Sequence, residues 1–182
     1  MRKYLTIVTV LIAVILVFSA CSDKKSDKRV VSVESPVIMD QVNTDSKFVA
    51  RAYLESMFLG DENMFVKCYP EGFIKNLEEA NGVNVFERYK EAVKFNGDII
   101  GTADAGTTEY TIENGFDQAA MKSRIAHVTG FEYSDIEQIR IQKVRACFTN
   151  GVDLAESEFG FIVYKANGSW YMLEGIPDDS GN

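Results

Sequence analysis

The chain has 182 residues, 46% of them apolar and 25% charged, close to the averages of a globular protein, which excludes a collagenous, low-complexity, multispan or wholly disordered chain. Nineteen basic side chains against 27 acidic ones give a net charge of −8, so no basic surplus exists to neutralise phosphates and no nucleic-acid partner is expected. Three cysteines and one histidine amount to at most one set of four Cys/His ligands.

The N-terminus reads as an export signal. Arg2 and Lys3 form a short basic region, Leu5 to Phe18 is an almost unbroken apolar run, and the small residues Ser19 and Ala20 follow. These are the parts of a secretory signal peptide. Read instead as an uncleaved membrane helix, Tyr4 to Ala20 would span only ~25 Å at ~1.5 Å per residue, short of a hydrocarbon core of ~30 Å. The stretch Phe18-Ser19-Ala20-Cys21 resembles the lipobox of bacterial lipoproteins, with phenylalanine where that family favours leucine. The resemblance implies cleavage between Ala20 and Cys21, a diacylglyceryl group on the Cys21 sulfur and acylation of the new amine. It places the chain on a bacterial membrane with its folded part outside the cytoplasm. Each buried methylene contributes ~0.8 kcal/mol, so two or three acyl chains hold effectively permanently.

Loss of residues 1–20 removes Arg2 and Lys3 and raises the acidic excess from 8 to 10. Residues 21–46 read as the lipidated cysteine and a flexible tether: they are rich in Ser, Asp and Lys, contain Pro36 and show no sustained apolar period. From Lys47 the pattern becomes helical, with Phe48, Val49, Ala52, Tyr53 and Met57 on one face and Lys47, Arg51 and Glu55 elsewhere on the circle. Asp45 or Ser46 is the expected N-cap and Gly60 the stop. Asp61 caps a second short helix, Glu62 to Tyr69, ended by Pro70. Phe73, Ile74 and Leu77 mark a third, closed by Asn81-Gly82, and Val85, Phe86, Tyr89, Ala92 and Val93 a fourth.

The second half reads mostly as strand. Ile99, Ile100 and the run Thr107 to Ile112 predict one or two weak strands, and a helix is expected between Gly115 and Val128 with Ala120, Met121, Ile125 and Val128 on a face. Ile136 to Phe148 is a long strand whose apolar phase slips from Ile139 and Ile141 to Val144, Ala146 and Phe148, which predicts a β-bulge near Gln142-Lys143. Phe159 to Tyr164, the turn Ala166-Asn167-Gly168-Ser169 and Trp170 to Leu173 form the clearest hairpin. Helices followed by an antiparallel hairpin define an α+β domain over residues 47–177, with residues 178–182 as a tail. The Phe48-to-Leu59 helix, Gly60-Asp61, the short helix ending at Tyr69-Pro70 and late strands carrying Trp170-Tyr171 resemble the NTF2-like, or cystatin-like, fold. That resemblance implies N-terminal helices packed on a curved antiparallel sheet, a cone that some members use as a pocket.

No catalytic set assembles from the pattern. His127 falls near a helix end and reads as a surface or capping residue, and no Gly-x-Ser-x-Gly elbow supports a nucleophilic serine. The acidic pairs Asp61-Glu62 and Glu156/Glu158 read as helix-start and solvated residues. No EF-hand spacing or glycine-rich phosphate cradle is present, so no metal or cofactor is expected. In the terminal hairpin, alternation places Trp170 and Met172 on one face and Tyr171 and Leu173 on the other. Aromatics on both faces require either a covering helix or a pocket or contact surface, and Tyr164, Trp170 and Tyr171 are the candidate contact residues. Cys68 and Cys147 are a candidate disulfide pair in an export compartment, provided their Cα atoms come within about 7 Å; the competing reading is that they are free, buried, small apolar residues. The reading favoured by these observations is a non-catalytic, lipid-anchored extracytoplasmic binding or accessory domain with a protein or small-molecule partner. The alternative is a small pocket enzyme of hydrolase or isomerase type on the NTF2-like cone, which a buried acid beside a tyrosine in a pocket would favour.

Overall fold

The structure, a computed structural model, describes residues 35–92, 98–109, 117–149 and 154–173. Four helices come first: α1 (Ser46–Leu59), α2 (Glu62–Lys67), α3 (Phe73–Asn81) and α4 (Val85–Ala92). Local chemistry sets their ends. The Asp45 carboxylate accepts from the Lys47 N–H at 3.0 Å and the Asp61 carboxylate from the Met64 N–H at 3.0 Å, each satisfying a donor that the first helical turn leaves open. Gly60 closes α1 at φ 69°, a left-handed conformation that costs glycine little.

The strands β1 (Asp98–Glu109), β2 (Ile136–Thr149), β3 (Leu154–Ala166) and β4 (Ser169–Met172) form one antiparallel meander in that order, and α5 (Gln118–Thr129) lies in the chain between β1 and β2. The protein is therefore α+β. The β3–β4 turn is the predicted one: Asn167 (φ 50°) and Gly168 (φ 80°) are both left-handed, the requirement of a two-residue turn matched to strand twist. The outer edge of β4 is covered. The Trp170 N–H donates to the Asn43 carbonyl at 2.9 Å, the Asn43 side chain returns a bond to the Trp170 carbonyl at 2.8 Å, and the Met172 N–H donates to the Cys68 carbonyl at 2.8 Å. An edge capped in this way offers no template for another strand.

The sheet is covered on both faces, by different helices. One core packs α1–α4 against Val144, Ala146, Phe159, Phe161, Val163, Trp170 and Met172. The other packs Met121 and Ile125 of α5 against Ile136, Ile139, Tyr164, Ala166 and Leu173. This corrects the expected bulge at Gln142-Lys143. The β2–β3 register runs without a break from Gln138 to Thr149, and the apolar phase slips because β2 passes from the α5 core to the α1 core. Opposite Val144 and Lys143 the irregularity lies instead on β1, between Asp104 and Gly106, and further register shifts fall at Ile99/Gly101 and Ile136/Gln138.

One further expectation is corrected at the start of the domain, where Arg51 and Glu55, off the apolar stripe of α1, pair at 3.0 Å with side-chain exposures of 4% and 6%. Ten of the 14 residues of α1 are buried, so the helix is central to the domain. The stretch expected as tether up to residue 46 already belongs to the fold from Ser35. Val37 and Val42 are buried, the Arg51 guanidinium donates to the Ser35 carbonyl at 2.8 Å, and the Val37 N–H donates to the Glu55 carboxylate at 2.9 Å.

Candidate functional site

A shallow, half-open groove of about 380 Å³ lies between α3 and the C-terminal end of α5. One wall comes from α3. Phe73, Asn76, Leu77 and Ala80 recur at the spacing that places them on a single helix face. The opposite wall is His127, Val128 and Thr129, the last turn of α5, and Pro70 and Glu71 close one end. The Phe73 ring stacks on Tyr69 at 5.7 Å and packs against both cores, so the base of the cleft is fixed from below. Thr129 is oriented by its hydroxyl, which donates to the Ile125 carbonyl at 2.6 Å.

The cleft combines an apolar body with a polar rim. Phe73, Leu77, Ala80 and Val128 supply the first, and Glu71, Asn76, His127 and Thr129 the second. The rim meets the C-terminal end of α5, where the helix dipole presents partial negative charge, and the Glu71 carboxylate adds to it. Such a lining can hold an apolar group and hydrogen-bond or attract a cationic head. Of the sequence candidates, His127 alone belongs to this cleft. Its α3 wall was not legible in advance, because the stripe Phe73-Asn76-Leu77-Ala80 reads like any half-buried helix face until α5 is seen to stand beside it.

The other candidates lie elsewhere. Cys21, Phe18, Ser19 and Ala20 are outside the described residues. The proposed contact surface does not form. Tyr164 is fully buried beneath α5 and Trp170 is 5% exposed in the opposite core, where the Arg140 guanidinium stacks over its ring at 4.9 Å. Tyr171 is half-buried against Tyr164 and Phe131. The alternation of the hairpin faces is as expected, and α5 is the helix that covers the second face. Burial, with the Tyr171 phenol nearby, pushes the Tyr164 phenol far above the ordinary tyrosine range, and the Tyr164 hydroxyl is buried without a hydrogen-bond partner.

The Cys68–Cys147 bridge is not made. Cys68 is a free, buried thiol that donates towards the Met64 carbonyl at 3.3 Å, and burial pushes its ionisation well above the usual range. Its carbonyl meets Met172, which pairs with Val163 opposite Arg140, and Cys147 lies seven residues further along β2. At ~3.3 Å per residue that is ~23 Å, beyond the reach of a disulfide.

Among the described residues no group of three His, Cys, Asp or Glu side chains is placed to hold a metal ion, and no helix is long and apolar enough to cross a membrane. No family model, curated protein or solved structure matches the chain.

Proposed function

We propose that the chain is a lipid-anchored binding domain of NTF2-like type, displayed outside the cytoplasm of a bacterium, which holds its ligand in the α3/α5 cleft without transforming it. The cleft is the observation that carries this reading. Its apolar body and negatively polarised rim favour a ligand with an apolar part and a cationic or hydrogen-bonding head, and the acidic balance of the whole chain works in the same direction. The anchor rests on the resemblance of Phe18-Ser19-Ala20-Cys21 to a lipobox. Helices preceding an antiparallel meander, with α1 buried against one face, support the NTF2-like reading. The second face of the sheet is covered by α5.

Native mass spectrometry of the membrane-extracted protein tests both parts. The expected spectrum carries the lipid mass on a chain beginning at Cys21 and a further bound mass. Ala80→Trp, which fills the cleft from an exposed position on α3, should remove the further mass and leave the lipid. A wild-type protein with no bound mass beyond its lipid, or one whose ligand survives Ala80→Trp, overturns the cleft assignment.

A further inference from the structure

β1 is the outermost strand of the meander. It is bonded to β2 from Asp98, opposite Thr149, to Glu109, opposite Arg140, and among the described residues no strand pairs with its other side. A strand edge left in this way presents alternate N–H and carbonyl groups as a template for one more strand. The far edge of the sheet is guarded by Asn43 and Cys68. β1 holds no proline, lysine or arginine, the usual guards of an edge, and its charges, Asp98, Asp104 and Glu109, are all acidic. Register shifts at Ile99/Gly101 and Asp104/Gly106 leave two regular stretches along it, Gly101–Asp104 and Gly106–Glu109. The contacts round α1 show which part of the chain lies nearest to this edge. At ~100° per residue, Val49, whose carbonyl faces the Cys68 thiol, lies on the β4 side, Tyr53 lies against Phe161 of β3, and Ser46 lies against Gln142 of β2. Strand order continues in the same sense to β1, which α1 also contacts, and Arg51 comes next round the helix. The Arg51 guanidinium holds the Ser35 carbonyl at 2.8 Å, so the chain upstream of Ser35 arrives over α1 on the side towards β1.

We infer that the outer edge of β1 is a docking site for this chain's own segment centred on Val30 and Val31, which adds to it as a fifth strand. Residues 28–33 read Lys-Arg-Val-Val-Ser-Val. The three β-branched valines suit a strand, and Lys28 and Arg29 bring the charge opposite to that of β1. Pro36, which cannot donate to a ladder, falls after the segment. Val31 and Val30 stand four and five residues before Ser35, ~13–17 Å of extended chain, and a helix with its side chains is ~10–12 Å across. The segment can therefore pass from the outer side of α1 to the sheet edge. A second copy of this chain is the poorer occupant, because pairing β1 with itself sets acidic strands against each other. On a chain anchored at Cys21, docking leaves residues 22–29 as the spacer, with a root-mean-square span of ~15 Å.

The test reads amide hydrogen exchange along β1 in the full chain, purified in detergent micelles. With a fifth strand in place, amides on both sides of β1 are protected. Combining Val30→Pro with Val31→Pro removes two donors from the added strand and should speed exchange at the outward-facing, alternate amides of β1 by ~10-fold or more. The amides that bond β1 to β2 stay slow and serve as the internal reference. Combining Val30→Thr with Val31→Thr keeps both positions β-branched and should keep the protection. Outward amides that already exchange fast in the wild type mean an open edge and overturn the inference. Outward amides that stay slow in the proline variant mean a different occupant, a second copy if the protection fades on dilution, and overturn it as well.

Discussion

At Arg51 and Glu55 the chain buries two opposite charges off the apolar stripe of α1. The pair is worth keeping only because its hydrogen bonds are satisfied: each charge meets the other and also a backbone group of the entering segment. Removing one partner leaves the other charge buried and alone. Glu55→Ala should therefore cost ~3–5 kcal/mol in urea unfolding, whereas replacing both residues with Leu and Met should cost less than that single change. Tyr164 is the opposite case, a hydroxyl buried without a partner. Taking away an unsatisfied group removes its desolvation penalty, so Tyr164→Phe should leave stability unchanged or raise it by ~1 kcal/mol. A clear loss in the same unfolding measurement would mean that the hydroxyl holds an internal water.

The terminal hairpin shows how an element is fixed from outside itself. Glu137, at the start of β2, accepts from Lys165 at 2.8 Å and from the Gly168 N–H at 2.7 Å, so its carboxylate ties β2 to the β3–β4 turn. Those bonds, Lys165 first and Gly168 second, hold its ionisation below the usual 4.5. A carboxylate with a lowered folded value contributes stability that is complete above the unfolded value and is lost as pH falls through the folded one. The stability advantage of wild type over Glu137→Gln should accordingly be full near neutral pH and shrink below about pH 4.5, which thermal unfolding across that range would show. At the same scale, β2 explains why a phase slip is ambiguous. A bulge and a change of covering layer both move apolar residues from odd to even positions, and only pairing with β3 separates them.

For the whole molecule, the bonds from Ser35 and Val37 to the Arg51–Glu55 pair mean that the segment Ser35–Val42 is docked on the domain, with Val37 and Val42 in its core, rather than acting as a spacer. An N-terminal truncation at residue 43 should destabilise the domain nearly as much as Glu55→Ala, because it exposes the same pair and uncovers α1. The anchor is checked separately: Cys21→Ser should block processing and keep residues 1–20 attached, and normal cleavage of that variant would exclude a lipobox. The cleft belongs to this scale as well, since its two walls are joined only when α5 docks on the second face of the sheet.

What the sequence by itself determined is what adjacent residues decide. The Asp45 and Asp61 caps, the Gly60 stop, the Asn167-Gly168 turn and the opposite facing of Trp170 and Tyr171 each depend on bonds or dihedrals within a few positions, so composition and spacing carry them. Periodicity also marked both hairpin faces as apolar. It left open what covers them, because an apolar face is a demand for burial without an address. Tertiary structure supplied the addresses: α5 over Tyr164, α1 over Val144, Ser35 and Val37 over Arg51 and Glu55, and α3 beside His127. Each of these joins segments distant in the chain, and that pairing is settled by which surfaces exclude water together, a property of the folded whole.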